Sequence, residues 1–207
     1  MAEKKSFLRD TVETVVFVIV ALIIIRFFIG EARWIPSASM HPTLLEGDRV
    51  IVENYSRFYS SPKRGDIMIF YPPDVVLKYD PLSLFSRLTG FFCKDIAYIK
   101  RVIGTPGDKI EIIRNEDGSS DVLINDKVLE EPYILDRFDY RVCTEDMHCG
   151  PLTLGEDEYF MMGDNRGNSQ DSRYWGVLKK DRFIGKAKFI FWPFHRLIYF
   201  KDKNYNL

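Results

Sequence analysis

Histidine and cysteine are scarce in this chain, and neither sign of charge dominates. Its 207 residues hold three histidines and three cysteines, with 29 Lys and Arg against 30 Asp and Glu. A net charge of −1 gives no electrostatic case for nucleic acid, whose phosphates demand a basic face. Few histidines leave few bases for a histidine-dependent triad. His41 stands two residues past Ser39 with no aspartate evidently placed to orient it, and His148 and His195 carry no local signature. There is no internal repeat and no low-complexity segment. Beyond Trp34 there is no long helical period.

The cysteines bound the chemistry further. Cys143 and Cys149 bracket the polar run T-E-D-M-H, a loop that a disulfide could close; two free thiols are the alternative. A C-x4-H-C metal site with His148 would lack a fourth ligand, and adjacent ligands fit one tetrahedral ion poorly. A disulfide would imply an oxidising compartment. Cys93 lies in apolar surroundings and reads as a buried or free thiol.

What the chain does have is an apolar start. Val15 to Gly30 is apolar except for Arg26, and Lys4, Lys5 and Arg9 precede it. Extended to 12–33, the segment is long enough to span the ~30 Å hydrocarbon core. Arg26 near one end can reach the headgroups. The basic residues put the N-terminus, residues 1–11, in the cytoplasm and the bulk of the chain outside. A cleavable secretory signal would also start this way, but no clean A-x-A site follows. A buried core helix would need a polar face that this stretch lacks.

After Trp34 the period becomes that of strands. D-R-V-I-V-E-N (48–54), D-I-M-I-F-Y (66–71), I-A-Y-I-K-R-V-I-G (96–104), D-K-I-E-I-I-R (108–114), D-V-L-I-N (121–125), Y-F-M-M-G-D (159–164) and F-I-G-K-A-K-F-I-F-W (183–192) are short and rich in Val, Ile, Phe and Tyr. Turn signals such as T-P-G-D and N-E-D-G separate them. The expected fold is mainly β, with curled antiparallel sheets in a barrel-like domain behind a single N-terminal transmembrane helix. Residues 80–93 break the pattern. Leu84, Phe85, Leu88, Phe91 and Phe92 share one helical face, which suits either the membrane interface or a flap on the domain itself.

Three segments carry candidate chemistry. In I-P-S-A-S-M-H-P-T-L (35–44), Ser37 and Ser39 are fenced by Pro36 and Pro42. Lys100 lies inside the apolar strand Y-I-K-R-V-I-G, sharing a face with Tyr98 and Val102. A lysine is a useful base near neutral pH only where burial disfavours its charged form; on an edge strand it is equally a solubility device. M-G-D-N-R-G-N-S-Q-D-S-R-Y-W-G (162–176) is dense in side chains that bond to backbone and to one another.

P-S-A-S-M-H-P-T-L, R-G-D-I-M-I-F, Y-I-K-R-V-I-G-T-P-G-D and G-D-N-R-G-N-S-Q-D-S-R-Y-W-G, in this order behind an apolar segment, resemble the conserved boxes of type I signal peptidases. The likeness spans residues 12 to 192. It implies a serine endopeptidase that removes signal peptides through an acyl-enzyme, cutting after small residues at the first and third positions before the cut. Ser39 matches the nucleophile and Lys100 the general base. Ser37 matches the hydroxyl that joins the Ser39 N–H in the oxyanion hole. Ser169 matches the serine that orients the lysine. Asp171 and Arg173 match a supporting ion pair, with Gly163, Asp164 and Arg166 in the same box. Ile35, Pro36, Met40, Leu44, Tyr98 and Ile99 match positions lining the substrate pockets.

The resemblance also implies domain limits: a catalytic β domain of 34–106 and 159–207, and an appended β subdomain of 107–158. The implied partners are preprotein signal peptides and the lipid bilayer, with the secretion translocon as a further candidate. No metal or organic cofactor is required. The implied location is a bacterial inner membrane, with the catalytic domain on the periplasmic side. The family usually has glycine where Ala38 stands, which a negative φ makes tolerable. A non-catalytic anchored β-domain is the alternative of a different kind.

Overall fold

β-Branched and aromatic residues suit a pleated, half-buried surface, and the runs rich in them form strands along most of the chain. The computed structural model describes residues 2–28, 30–55, 59–77, 80–83, 96–137, 143 and 147–201. Helix α1 (Ala2–Phe28) comes first. The strands are β1 (Glu31–Trp34), β2 (Arg49–Glu53), β3 (Ile67–Phe70), β4 (Tyr98–Gly104), β5 (Lys109–Arg114), β6 (Ser120–Ile124), β7 (Lys127–Val128), β8 (Leu152–Thr153), β9 (Glu158–Met162), β10 (Leu178–Lys179), β11 (Phe183–Trp192) and β12 (Ile198–Tyr199). All seven strands read from the sequence are present. Missing from that reading were β1 and the two-residue strands.

An eight-stranded sheet runs β1-β2-β11-β3-β4-β9-β10, with β12 on β11, and a four-stranded sheet runs β7-β6-β5-β8. Every pairing is antiparallel. The large sheet curls because β11 slips register twice against β2 and once against β3, and β4 slips once against β9. Each irregularity adds local twist and bend. The turn between β6 and β7 has Asn125 and Asp126 both at positive φ, the two-residue hairpin geometry that matches strand twist.

The helix differs from the expected anchor at both ends. It begins at Ala2 rather than 12, and it stops at Phe28 rather than 33. Gly30 explains the stop. Its φ is +110°, and a Cβ there would lie 2.0 Å from the Val52 carbonyl oxygen, so the backbone turns against β2. Residues 31–34 then pair with β2 instead of extending the helix. Arg9, Asp10 and Glu13 leave Val15–Ile25 as the unbroken apolar run of the described side chains. Among the described residues no helix is long and apolar enough to cross a membrane. The apolar face expected at Leu84, Phe85, Leu88, Phe91 and Phe92, like Cys93, lies outside the described residues.

Three buried clusters fill the molecule. The first gathers Ile35, Met40, Leu44, Val50, Val52, Ile67, Ile69 and Ile99. The second joins the two sheets through Ile103, Ile110, Ile124, Phe160 and Met162. The third holds Met68, Phe70, Val102, Tyr159 and Met161. β3 and β9 are therefore covered on both faces. β4 lies between them, which is why a lysine in its middle is shut away from water.

Candidate active site

The loop after β1 holds its serine through local backbone geometry. Ala38–Met40 form one turn of 3-10 helix behind the extended Ser37 (φ −136°, ψ 153°), closed by the His41 N–H donating to Ala38 O at 3.0 Å. Leu44 N–H donates to Met40 O at 2.9 Å. Ala38 keeps the negative φ of that helix, so its methyl group is accommodated. The turn also takes His41 out of the extended register that would have set it beside Ser39.

β4 supplies the partner. Lys100 Nζ is hydrogen-bonded to Ser39 Oγ at 2.6 Å, and Ser39 and Lys100 are only 8% and 5% exposed. Ser37 is exposed, with its hydroxyl 3.4 Å from Ser39 Oγ. Burial lowers the Lys100 amine from 10.5 to about 8; the Asp171 and Asp164 charges act against that fall, and the Arg173 charge adds to it. A neutral amine is thus accessible near physiological pH, and it can accept the serine proton across the same contact.

Residues 163–173 surround this pair. Asp171 and Arg173 are fully buried and bonded twice, Nε to Oδ1 at 2.8 Å and Nη2 to Oδ2 at 2.9 Å. Gly163 N–H donates to Asp171 Oδ2 at 3.0 Å. Burial opposes the Asp171 charge, but the Arg173 hydrogen bonds and charge outweigh it and hold the carboxyl below its ordinary range. The Asp171 charge favours the Lys100 ammonium form, but burial outweighs it, with the Arg173 charge acting in the same direction as burial. Ser169 Oγ is buried and meets no partner at normal hydrogen-bond geometry, although it stands close enough to help keep Asp171 ionised. Gly163 is needed here: a Cβ would fall 2.3 Å from Ser169 Oγ and 2.4 Å from Ser39 O.

A second ion pair braces the other side. Arg101 donates to Asp164 through Nε at 2.8 Å and Nη2 at 2.6 Å, and Thr43 Oγ1 donates to Asp164 Oδ2 at 2.5 Å. Between Asp164 and Arg166, Asn165 grips the serine loop. Its N–H donates to Ser39 O at 3.1 Å and its Nδ2 to Ala38 O at 3.1 Å. The sequence reading did not single out Asn165, Thr43 or the Arg101 pairing. Asn165 lay inside a quoted motif, but its role depends on carbonyls 127 residues away.

The positions expected to line substrate pockets divide in two. Ile35, Met40, Leu44 and Ile99 are buried together in the first cluster, whereas Pro36 is exposed and Tyr98 half-buried. Cys143 and Cys149 are joined by a disulfide, which consumes the thiols a metal site would have used. His148 N–H donates to Arg173 O at 2.7 Å, so this loop abuts the site.

The chain is similar to known proteins over most of its length. The family described as "Signal peptidase, peptidase S26" matches residues 8–192. A "Signal peptidase I" of Leptolyngbya laminosa is 39% identical over 93% of this chain and 83% of its own. "Signal peptidase I S" of Bacillus subtilis is 34% identical over 95% of each chain. A solved signal peptidase I from Enterococcus faecalis is 26% identical, with TM-score 0.40, over 61% of this chain and 97% of that one.

The buried amine carries a stability cost that pH reveals. A fall from 10.5 to about 8 is worth about 3 kcal/mol against the ammonium form. Below pH 8 both the folded and the unfolded chain are protonated, and the cost is fully present. It is relieved as pH rises from 8 to 10.5, because there the unfolded chain binds the proton more readily. Denaturant midpoints of wild type and Lys100→Met at pH 7 and pH 10 read this directly. The variant is expected to gain on wild type by about 2 kcal/mol more at pH 7 than at pH 10, where relief is not yet complete. An equal difference at both pH values would contradict a buried amine.

Proposed function

Since the chain belongs to the signal peptidase family, peptidase S26, and is a peptide-bond hydrolase that removes signal peptides, we propose that Ser39 and Lys100 are its nucleophile and base. The observation that carries this reading is the 2.6 Å contact between a buried amine and a hydroxyl. Neutral Lys100 takes the Ser39 proton as Oγ attacks the scissile carbonyl. The oxyanion is held by the Ser39 N–H and the Ser37 hydroxyl, and one such donor is typically worth about 3 kcal/mol. Lys100 gives its proton to the leaving amine, and an ester on Ser39 remains. Water, deprotonated by Lys100, then attacks the ester and frees Ser39. Asp171 with Arg173, and Asp164 with Arg166 and Gly163, keep the two partners aligned. Ser169 is read as a second orienting group for the amine from its place beside Gly163, although its buried hydroxyl makes no hydrogen bond to Lys100.

The substrate is read as an extended preprotein segment added as a strand. Tyr98–Lys100 pair with β3, while β9 begins its pairing with β4 only at Arg101. Among the described residues, that leaves backbone beside Lys100 open to an added strand. Ile35, Met40, Leu44 and Ile99 form a closed apolar floor that supports selection of small side chains at the first and third positions before the cut, with Pro36 and Tyr98 at its margin.

The enzyme is further read as anchored at a bacterial inner membrane, N-terminus in the cytoplasm and catalytic domain on the periplasmic side. Helix α1 rises about 40 Å, so its charged early turns can sit at headgroup level while Val15–Ile25 lies in hydrocarbon. From Val15 to Ile25 every side chain except the half-buried Ala21 is exposed, an apolar surface that calls for cover. Trp192 and Phe194, with ring centroids 4.7 Å apart, and the exposed Trp34, Leu197 and Tyr199 add aromatic and apolar area of the kind that settles at interfaces. The secretion translocon is a natural neighbour there.

Three measurements test these readings. Ser39→Ala is expected to cut turnover of a signal-bearing precursor about a thousandfold or more while leaving the fold intact. For the free wild-type enzyme, kcat/KM should climb about tenfold per pH unit towards pH 8 and level above it, following Lys100. A flat profile between pH 5 and 9 would exclude an amine base. In flotation with phospholipid vesicles the full chain should rise with the lipid even in high salt; recovery in the dense fraction would overturn the anchor.

A further inference from the structure

The region between the two halves of the large sheet sends one segment back into the site. Leu129 packs in the second cluster beneath β5 and β6, and the chain then runs past Glu131 and Tyr133 to the loop after β9. We propose that Glu131 and Tyr133 are positioning residues for the Ser39–Lys100 pair, acting through Arg166 and Arg101. This rests on the dyad reading above.

The contacts form a continuous path. The Arg166 side chain is fully buried and Glu131 is 6% exposed. A buried guanidinium left without a counter-charge is strongly unfavourable. Glu131 meets this need by accepting from Arg166 Nη1 at 2.9 Å and from Nη2. Arg166 Nε also donates to Gly163 O at 3.0 Å. Glu131 therefore fixes the side chain that pins the backbone of Gly163, the residue packed against Ser39 O.

Tyr133 holds the neighbouring residue of the same loop. Its ring lies over the Arg101 guanidinium, 4.0 Å from carbon to centroid, and its hydroxyl donates to Glu131 Oε1 at 2.9 Å. Arg101 in turn grips Asp164 with two hydrogen bonds. Burial first, and then the Glu131 charge, push the phenol well above its ordinary value, so it stays a donor throughout the working pH range. Asp164 and Arg166 flank Asn165, whose two donors hold Ala38 O and Ser39 O. Two residues of one short segment thus secure both arginines, and the arginines secure Gly163 and Asp164, the two residues that lead into the one that grips the nucleophile loop.

The test uses the full chain and a peptide bearing a signal-peptide cleavage site. kcat and KM are measured per folded molecule, with folding monitored by circular dichroism. Tyr133→Leu and Glu131→Gln are expected to lower kcat about tenfold or more, because sub-ångström misplacement of reacting groups is costly, with KM held within about twofold. Glu131→Asp should recover part of the Gln loss. In an Asn165→Ala background the same substitutions should cost less than about twofold, since groups acting through one link are non-additive. If Glu131→Gln does not fold, Tyr133→Phe removes only the hydroxyl and should show a smaller kcat loss that Asn165→Ala likewise absorbs. Unchanged kcat per folded molecule would assign these residues to stability alone. Losses that multiply fully with Asn165→Ala would break the proposed path. Either result overturns the proposal while leaving Ser39 and Lys100 untouched; cleavage by Ser39→Ala would instead overturn the dyad itself.

Discussion

Enclosure of one amine beside one hydroxyl is the constraint on which everything else depends. Lys100 sits in the middle of β4, between strands packed on both faces, and meets the one serine that the loop after β1 turns inward. Desolvation alone would leave a charged lysine at this position unfavourable. The structure surrounds it with charges of both signs, none of which outweighs burial. Asp171 and Asp164 favour the ammonium form and Arg173 opposes it, so burial remains the leading influence. The amine stays close enough to neutrality to act as a base.

The ion pairs around the site are better understood as alignment than as stability. Breaking a buried pair is costly, yet such a pair adds little over an apolar replacement of equal volume. Here each pair fixes a piece of backbone. Asp171 receives the Gly163 N–H, Arg166 reaches the Gly163 carbonyl, and Asp164 takes the Thr43 hydroxyl. The loop after β9 is thereby held against the serine turn, and Asn165 makes the final contact. Geometry of this kind lowers a barrier by removing the search for a reactive arrangement.

Much of this was legible in the sequence, for identifiable reasons. The strand runs stood out because both faces of several strands are buried, so apolar residues follow one another without interruption, as in Ile67–Phe70. Lys100 was conspicuous as a charge inside such a run. The four boxes brought Ser37, Ser39, Lys100, Gly163, Asp164, Arg166, Ser169, Asp171 and Arg173 into view, and the fold gathers them in one neighbourhood. Strands of two residues, β7, β8, β10 and β12, have no period to read and exist because a partner strand is present. β1 was absorbed into the apolar anchor because Ala32 and Trp34 continue its composition; the signal missed was Gly30, whose positive φ ends the helix. Asn165, Thr43, Glu131 and Tyr133 were invisible because the groups through which they meet the site are distant in sequence, as Arg166 is 35 residues from Glu131 and Ala38 is 127 from Asn165.

The most direct measurement is the titration of the Lys100 amine itself, followed by nitrogen-15 NMR of the folded protein with lysine labelled, and assigned by its loss in Lys100→Met. The account expects one lysine to titrate at about 8, well apart from its exposed neighbours. A Lys100 resonance that remains protonated up to about 10.4, the value of a solvated lysine, would contradict it.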